Sequence, residues 1–147
     1  MIAEAGLRLD GRIVVVSGAG GGGIGTTVTR MAAEAGATVV AVSRSKANLD
    51  EHVGPLAERG LSVVSVSADA STDDGVATVL DQVRTVAANT GARLYGLVNV
   101  AGGAAPATWM PSTRVTREDW RALLPLFPVL RFCFEHGNLL KIHLRQF

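Results

Sequence analysis

The sequence predicts an α/β fold: a parallel sheet, doubly wound, with helices on both faces in three layers. Three observations carry that prediction. The apolar runs are short and continuous rather than alternating, namely Ile13–Val16, Val39–Val42, Val63–Val66 and Leu94–Val98. Such runs fit strands buried on both faces. Helix-compatible stretches separate them, so strand and helix alternate and right-handed crossovers follow. Finally, the first apolar run leads into a glycine-rich loop that opens a helix.

Each element has a local reason. The first strand, Ile13–Val16, runs into Ser17-Gly18-Ala19-Gly20-Gly21-Gly22-Gly23-Ile24-Gly25. A helix over Thr26–Ala35 is expected next, with Ile24, Val28, Met31, Ala32 and Ala35 on one face and Gly36 as its stop. Ser45–Arg59 is helical in composition, with a break or kink expected at Gly54-Pro55. Thr72–Ala88 reads as a helix starting behind Ser71, where Asp74 three residues on resembles a capping box with a shorter acid. After Val98 comes a Gly-, Ala- and Pro-rich loop, Asn99–Pro111, and then another helix start at Thr116-Arg117-Glu118-Asp119-Trp120. Pro125 and Pro128 cut that helix short.

Composition bounds the rest. The chain of 147 residues is of single-domain length and is 48% hydrophobic. A net charge of +1 and the lack of a basic stripe with interleaved aromatics argue against nucleic acid and anionic membranes as partners. The one cysteine, Cys133, excludes an internal disulfide and fits a reducing compartment. No apolar run approaches the ~18 residues that span a bilayer, and Met1–Asp10 lacks the pattern of a signal peptide. A cytoplasmic protein is the expectation. The segment 125–147 differs from everything before it. It holds all four phenylalanines, the cysteine and two of the three histidines, and it has no alanine. Two regions are therefore expected, a dinucleotide-binding domain over 1–124 and an anomalous Phe-rich tail over 125–147.

The glycine run carries the chemistry. Glycine lets the backbone turn sharply and approach a phosphate, and the first amides of the following helix have no partners of their own. Both Gly18-x-Gly20-x-x-Gly23 and Gly20-x-Gly22-x-x-Gly25 match the dinucleotide fingerprint, with Ile24 inside the second. A flexible linker is the bland alternative, which the strand–helix setting disfavours. A P-loop is excluded because no Lys-Ser/Thr follows the glycines. Ser43 and Arg44 end the second strand, where a dinucleotide fold faces the adenosine ribose. An acid there binds a 2′-hydroxyl, whereas an arginine pairs with a 2′-phosphate. Arg44 therefore predicts NADP(H) in preference to NAD(H), unless it is a solvated surface arginine. Asp69, with Ala70 beside it, follows the third strand and either accepts from the adenine amino group or forms a turn or helix cap. Asn99, Ala101 and Gly102 follow the fourth strand. The Asn side chain is placed to tie the loop to neighbouring strands, and the small residues let a ribose lie against the backbone.

Taken in order, these residues resemble the short-chain dehydrogenase/reductase family over about Leu9 to Leu124. The set comprises Leu9-Asp10-Gly11-Arg12, the Ser-Gly-Ala…Gly-Ile-Gly loop, Arg44, Asp69, Asn99-Val100-Ala101-Gly102 and Thr116…Glu118-Asp119-Trp120. The resemblance implies a Rossmann-like fold with strand order 3-2-1-4, ending here after about four strands. It also implies a nicotinamide cofactor and, in a complete family member, a small carbonyl or alcohol substrate. Two departures stand out. Four residues separate Gly18 from Gly23 where the family has three, so the register of phosphate contacts shifts. Phe127 stands where the family has an Asn, and its later Ser and Tyr-x-x-x-Lys are absent, since Tyr95 is the only tyrosine and Gly137 precedes Lys141 by four. With no proton partner for hydride transfer, the expectation is a truncated or frame-shifted member that binds its cofactor and turns nothing over. Self-association through an exposed fourth strand is expected too. Two alternatives remain: a non-catalytic nucleotide-binding or dimerising module, and an S-adenosylmethionine-binding methyltransferase-like domain, which lacks its expected acid after the second strand.

Overall fold

A computed structural model describes residues 8–102, 114 and 116–118. Four strands form one parallel sheet: β1 (Arg12–Ser17), β2 (Thr38–Ser43), β3 (Val63–Ser67) and β4 (Arg93–Asn99). Their order is β3-β2-β1-β4, as the resemblance implies. The helices are α1 (Ile24–Glu34), α2 (Lys46–His52), α3 (Gly54–Glu58) and α4 (Asp73–Thr90).

The continuous apolar runs are explained by two cores, one on each face of the sheet. Val14 and Val16 of β1 and Val39 and Ala41 of β2 pack with Ala33 of α1 and with Leu49 of α2. Ile13 and Val15, Val40 and Val42, and Val66 of β3 pack on the other face with Val83 and Val86 of α4. Successive strand residues point to opposite faces, so a strand covered twice needs apolar residues throughout. Each such side chain, fully buried, is worth roughly 1.5–3 kcal/mol of transfer free energy. In its pairing with β1, β4 carries an extra residue, because Ile13 faces Leu94 and Val14 faces Gly96. Tyr95 lies between those two, and the Arg12 guanidinium stacks over its ring, 4.6 Å from the centroid.

Two expectations need correction in detail, and one holds. Helix α1 starts at Ile24 rather than Thr26, and it buries Gly25, Thr29 and Ala33. Ile24 is 73% exposed and Met31 39%, so these two leave the expected face, whereas Val28, Ala32 and Ala35 pack against the core as expected. Small residues face inward because this helix lies so close to the first loop. The stretch Ser45–Arg59 breaks beside Gly54-Pro55, as expected, into α2 and α3: proline lies in the first turn of α3, where its missing N–H costs nothing. The cap of α4 is Thr72, whose hydroxyl accepts from the Gly75 N–H at 3.0 Å. Ser71 is not the cap, because its hydroxyl donates to Asp69 at 2.6 Å. Arg117 and Glu118 are helical. Asp119, Trp120 and the segment 125–147 lie outside the described residues. Among the described residues no helix is long and apolar enough to cross a membrane.

Candidate functional site

The sheet order reverses between β1 and β4, and α/β sheets bind ligands at such a switch point, beyond the strands' C-terminal ends. A cavity of about 660 Å³ lies there. Its walls come from the ends of all four strands: Ser17 after β1, Val42 to Arg44 after β2, Ala68 to Ser71 after β3, and Val100 to Gly102 after β4. Gly18, Gly21 and Gly23 to Gly25 of the glycine loop, and Asn48 of α2, complete it.

Two glycines hold the loop in place. Gly18 has φ 77°, and a Cβ on it would lie 2.5 Å from the Ala101 nitrogen. A Cβ on Gly25 would run into the Gly18 carbonyl. The chain is thus pinned between the first turn of α1 and the end of β4, a close approach that only glycine permits. Thr26 braces the rest. Its hydroxyl donates to the Ala19 carbonyl at 2.6 Å and accepts from the Gly22 N–H at 3.1 Å. That use of Gly22 bears on the loop's extra residue. The Gly22 amide is spent inside the loop, and the amides left without helical partners are those of α1's first turn, from Ile24 onward. Among the described residues no side chain caps α1, and its first turn holds no acid, so its positive end suits an anion.

The seam between β1 and β4 is stitched by side chains. The Ser17 hydroxyl donates to Asn99 Oδ1 at 3.3 Å, and the Val100 N–H donates to the Ser17 carbonyl at 3.1 Å. Asn99 therefore ties strand to strand, as its position implied. Across the sheet, the Ser67 hydroxyl donates to the Arg44 carbonyl at 3.2 Å, and the Ala68 N–H to the Ser43 carbonyl at 3.0 Å. Those bonds fix the backbone from which the Arg44 side chain springs. Asp69 forms a turn: its Oδ1 accepts from the Ser71 N–H at 2.9 Å and from the Ser71 hydroxyl. These two bonds, the hydroxyl first, hold its carboxyl below the usual carboxylate range, and the Arg44 charge adds to them.

Ten of the residues singled out from sequence line this cavity: Gly18, Gly23, Ile24, Gly25, Ser43, Arg44, Asp69, Ala70, Ala101 and Gly102. Gly20, Gly22 and Asn99 do not line it. Gly20 lets the Ser43 hydroxyl pack against the loop, Gly22 bonds Thr26, and Asn99 bonds Ser17. Asn48 lines the wall with no motif to announce it. The only signal was its place three residues after Ser45, the spacing of a helix cap. Among the described residues no cluster of His, Cys, Asp and Glu is arranged to hold a metal.

A switch-point cavity, a glycine-pinned loop and an open helix start together define a dinucleotide-binding α/β domain. Residues 12–127 match the family model for short chain dehydrogenases, and the chain belongs to that family. It is 34% identical over 116 residues to the uncharacterized oxidoreductase YxnA of Bacillus subtilis (strain 168), covering 79% of this chain and 30% of that protein. It is 37% identical over 120 residues to galactitol 2-dehydrogenase of Rhizobium johnstonii, covering 80% of this chain and 42% of that one. Among solved structures, a metagenomic short-chain oxidoreductase in complex with NADP aligns with a TM-score of 0.62 at 30% identity. That alignment covers 80% of this chain and 50% of the other. The chain thus spans less than half the length of these two curated relatives.

Proposed function

We propose that this chain holds the adenosine half of NADP(H), as part of an oxidoreductase acting on a small carbonyl or alcohol substrate. The observation that carries the reading is Arg44 on the cavity wall at the end of β2, where a dinucleotide fold meets the adenosine ribose. The residues fit the group. A Cβ on Gly18 or Gly25 would fill space the backbone already occupies, so the loop lies low enough for a pyrophosphate to approach α1. Similarity to a protein solved with NADP supports the same choice.

When bound, NADP(H) supplies the hydride. The chain's own groups bind and orient it. The first amides of α1 would hold the pyrophosphate, and the Arg44 guanidinium would pair with the 2′-phosphate. Asp69 keeps one carboxylate oxygen for the adenine amino group, because Ser71 engages only Oδ1. Ala101 and Gly102, small residues on the cavity wall, would leave room for the ribose beside the backbone.

These 147 residues bind without turning over. The reaction needs a proton donor matched to neutral pH, and the family's Tyr-x-x-x-Lys is not among them. Tyr95 cannot substitute, since it lies near the start of β4 beside Arg12, at the end of the sheet away from the cavity. Residence in the cytoplasm and self-association belong to the same reading. The latter is supported by β4, which ends the sheet among the described residues with Leu94, Leu97 and Val98 half-buried.

Calorimetric titration of the chain and its Arg44→Ala variant with NADPH and NADH tests the proposal. NADPH binds the chain more tightly, and the variant loses that advantage. Equal losses for both nucleotides would make Arg44 a surface residue and remove the case for NADP(H).

A further inference from the structure

Asn48 shares the cavity wall with Ser43 and Arg44. The loop packs against Ser43 and Asn48, since a Cβ on Gly20 would lie 2.8 Å from the Ser43 hydroxyl oxygen and 3.3 Å from the Asn48 Cβ. Ser45 then fixes which end of the Asn48 carboxamide is engaged. The Ser45 hydroxyl accepts from the Asn48 backbone N–H at 3.2 Å and lies 3.0 Å from Asn48 Oδ1. A hydroxyl carries one proton, and Oδ1 is an acceptor, so that proton goes to Oδ1. The side-chain oxygen is thereby occupied. The Nδ2 group keeps two N–H donors, with no protein partner among the described residues.

The chemistry of this corner of the wall is rich in donors. Arg44 offers only donors, Asn48 has its acceptor taken and its donors open, and the Ser43 hydroxyl can donate or accept. Such a corner suits an anionic oxygen. A plain ribose 2′-hydroxyl offers these donors one neutral oxygen, where a 2′-phosphate offers three charged ones. A site built to hydrogen-bond one chemical group discriminates strongly against the analogue that lacks it.

We infer that Asn48 is a specificity-determining residue of the cofactor site, donating through Nδ2 to the 2′-phosphate beside the Arg44 guanidinium. The inference rests on the NADP(H) reading above and names a second residue that enforces it. Ser45 is a positioning residue, acting only through the orientation of Asn48.

The test is Asn48→Asp in the full 147-residue chain, titrated calorimetrically with NADPH and NADH. Aspartate has the same size and keeps the oxygen to which Ser45 donates, but it replaces the donor with a charged acceptor. NADPH should weaken by roughly tenfold or more, the scale of a charge-assisted hydrogen bond, and NADH should stay within about twofold. Asn48→Ala, which removes the donor without adding charge, should weaken NADPH by several-fold and again spare NADH. Circular dichroism confirms that both variants fold, and either one suffices for the comparison. Equal losses for the two nucleotides, or no loss for NADPH, overturn the inference. Arg44→Ala in the same series separates the failures. If it remains selective against NADPH while the Asn48 variants do not, the Asn48 assignment alone is wrong. If it too is unselective, the 2′-phosphate reading falls and takes the assignment with it.

Discussion

Gly25→Ala puts the packing of the glycine loop under direct strain. The added Cβ would lie inside 3.0 Å of both the Gly18 carbonyl oxygen and its carbon, and 3.1 Å from the Ala19 Cα. All three atoms are backbone, so no side chain can rotate away. Gly18 cannot retreat, because its own Cβ position is already 2.5 Å from the Ala101 nitrogen. Helix α1 must lift off the loop instead. Overpacking of this kind costs about 1–3 kcal/mol, and alanine's better helix propensity returns at most about 1 kcal/mol. A net loss of about 1–2 kcal/mol lowers the melting temperature by roughly 2–8 °C in a chain of this size. Because α1's first turn moves with the helix, NADPH affinity should fall by about tenfold or more, equivalent to ~1.4 kcal/mol. Differential scanning calorimetry and nucleotide titration read the two effects. Gly21→Ala is the control: nothing lies within 4 Å of its Cβ position, and stability should change by less than ~0.5 kcal/mol. A Gly25→Ala protein with unchanged melting temperature and NADPH affinity would refute the reasoning.

Three further outcomes are expected. Thr29 is fully buried and its hydroxyl has no partner among the described residues, so Thr29→Val keeps the shape, removes the orphan and raises stability by about 1 kcal/mol in urea unfolding. A clear loss of stability would show that the hydroxyl is satisfied in solution. Thr26→Val removes the bonds to Ala19 and Gly22, costing about 1–2 kcal/mol and weakening NADPH through a looser loop, and unchanged binding and melting would contradict the brace. The Asp69 carboxyl is held below its usual range in the fold, so its contribution is present above the ordinary carboxylate pKa and disappears as pH falls through the lowered one. The melting-temperature gap between the chain and Asp69→Asn should therefore be widest near neutral pH and shrink below about pH 4. A gap independent of pH would mean that the Ser71 bonds do not favour the ionised form.

The sheet was legible because its strands are buried on both faces. In Val14-Val15-Val16 the first and third residues belong to one core and the second to the other, so the pattern has to be continuous. Strand positions and the break at Gly54-Pro55 were visible for such local reasons. The orientation of α1 was legible only in part. Periodicity placed Val28, Ala32 and Ala35 against the core, but it also favoured Ile24 and Met31, whereas Gly25, Thr29 and Ala33 are the residues buried where the helix lies close to the loop. The α4 cap was missed for a similar reason. Ser71 and Thr72 offer the same hydroxyl, and only the turn made by Asp69 decides which is free to cap. At the site, Arg44 and Asp69 follow their strands directly and were readable from position. Asn48 was not, because its place on the wall depends on how far α2 folds back over Gly20.

The most direct test of the central claim, that the switch-point cavity holds the adenosine half of NADP(H), is an amide chemical-shift titration of the chain with NADPH. The account predicts shifts concentrated at Gly18, Ile24, Gly25, Arg44, Asn48, Asp69 and Ala101, with NADH producing a weaker response around Arg44 and Asn48. Saturating shifts clustered away from the strands' C-terminal ends, or none at all, would contradict it.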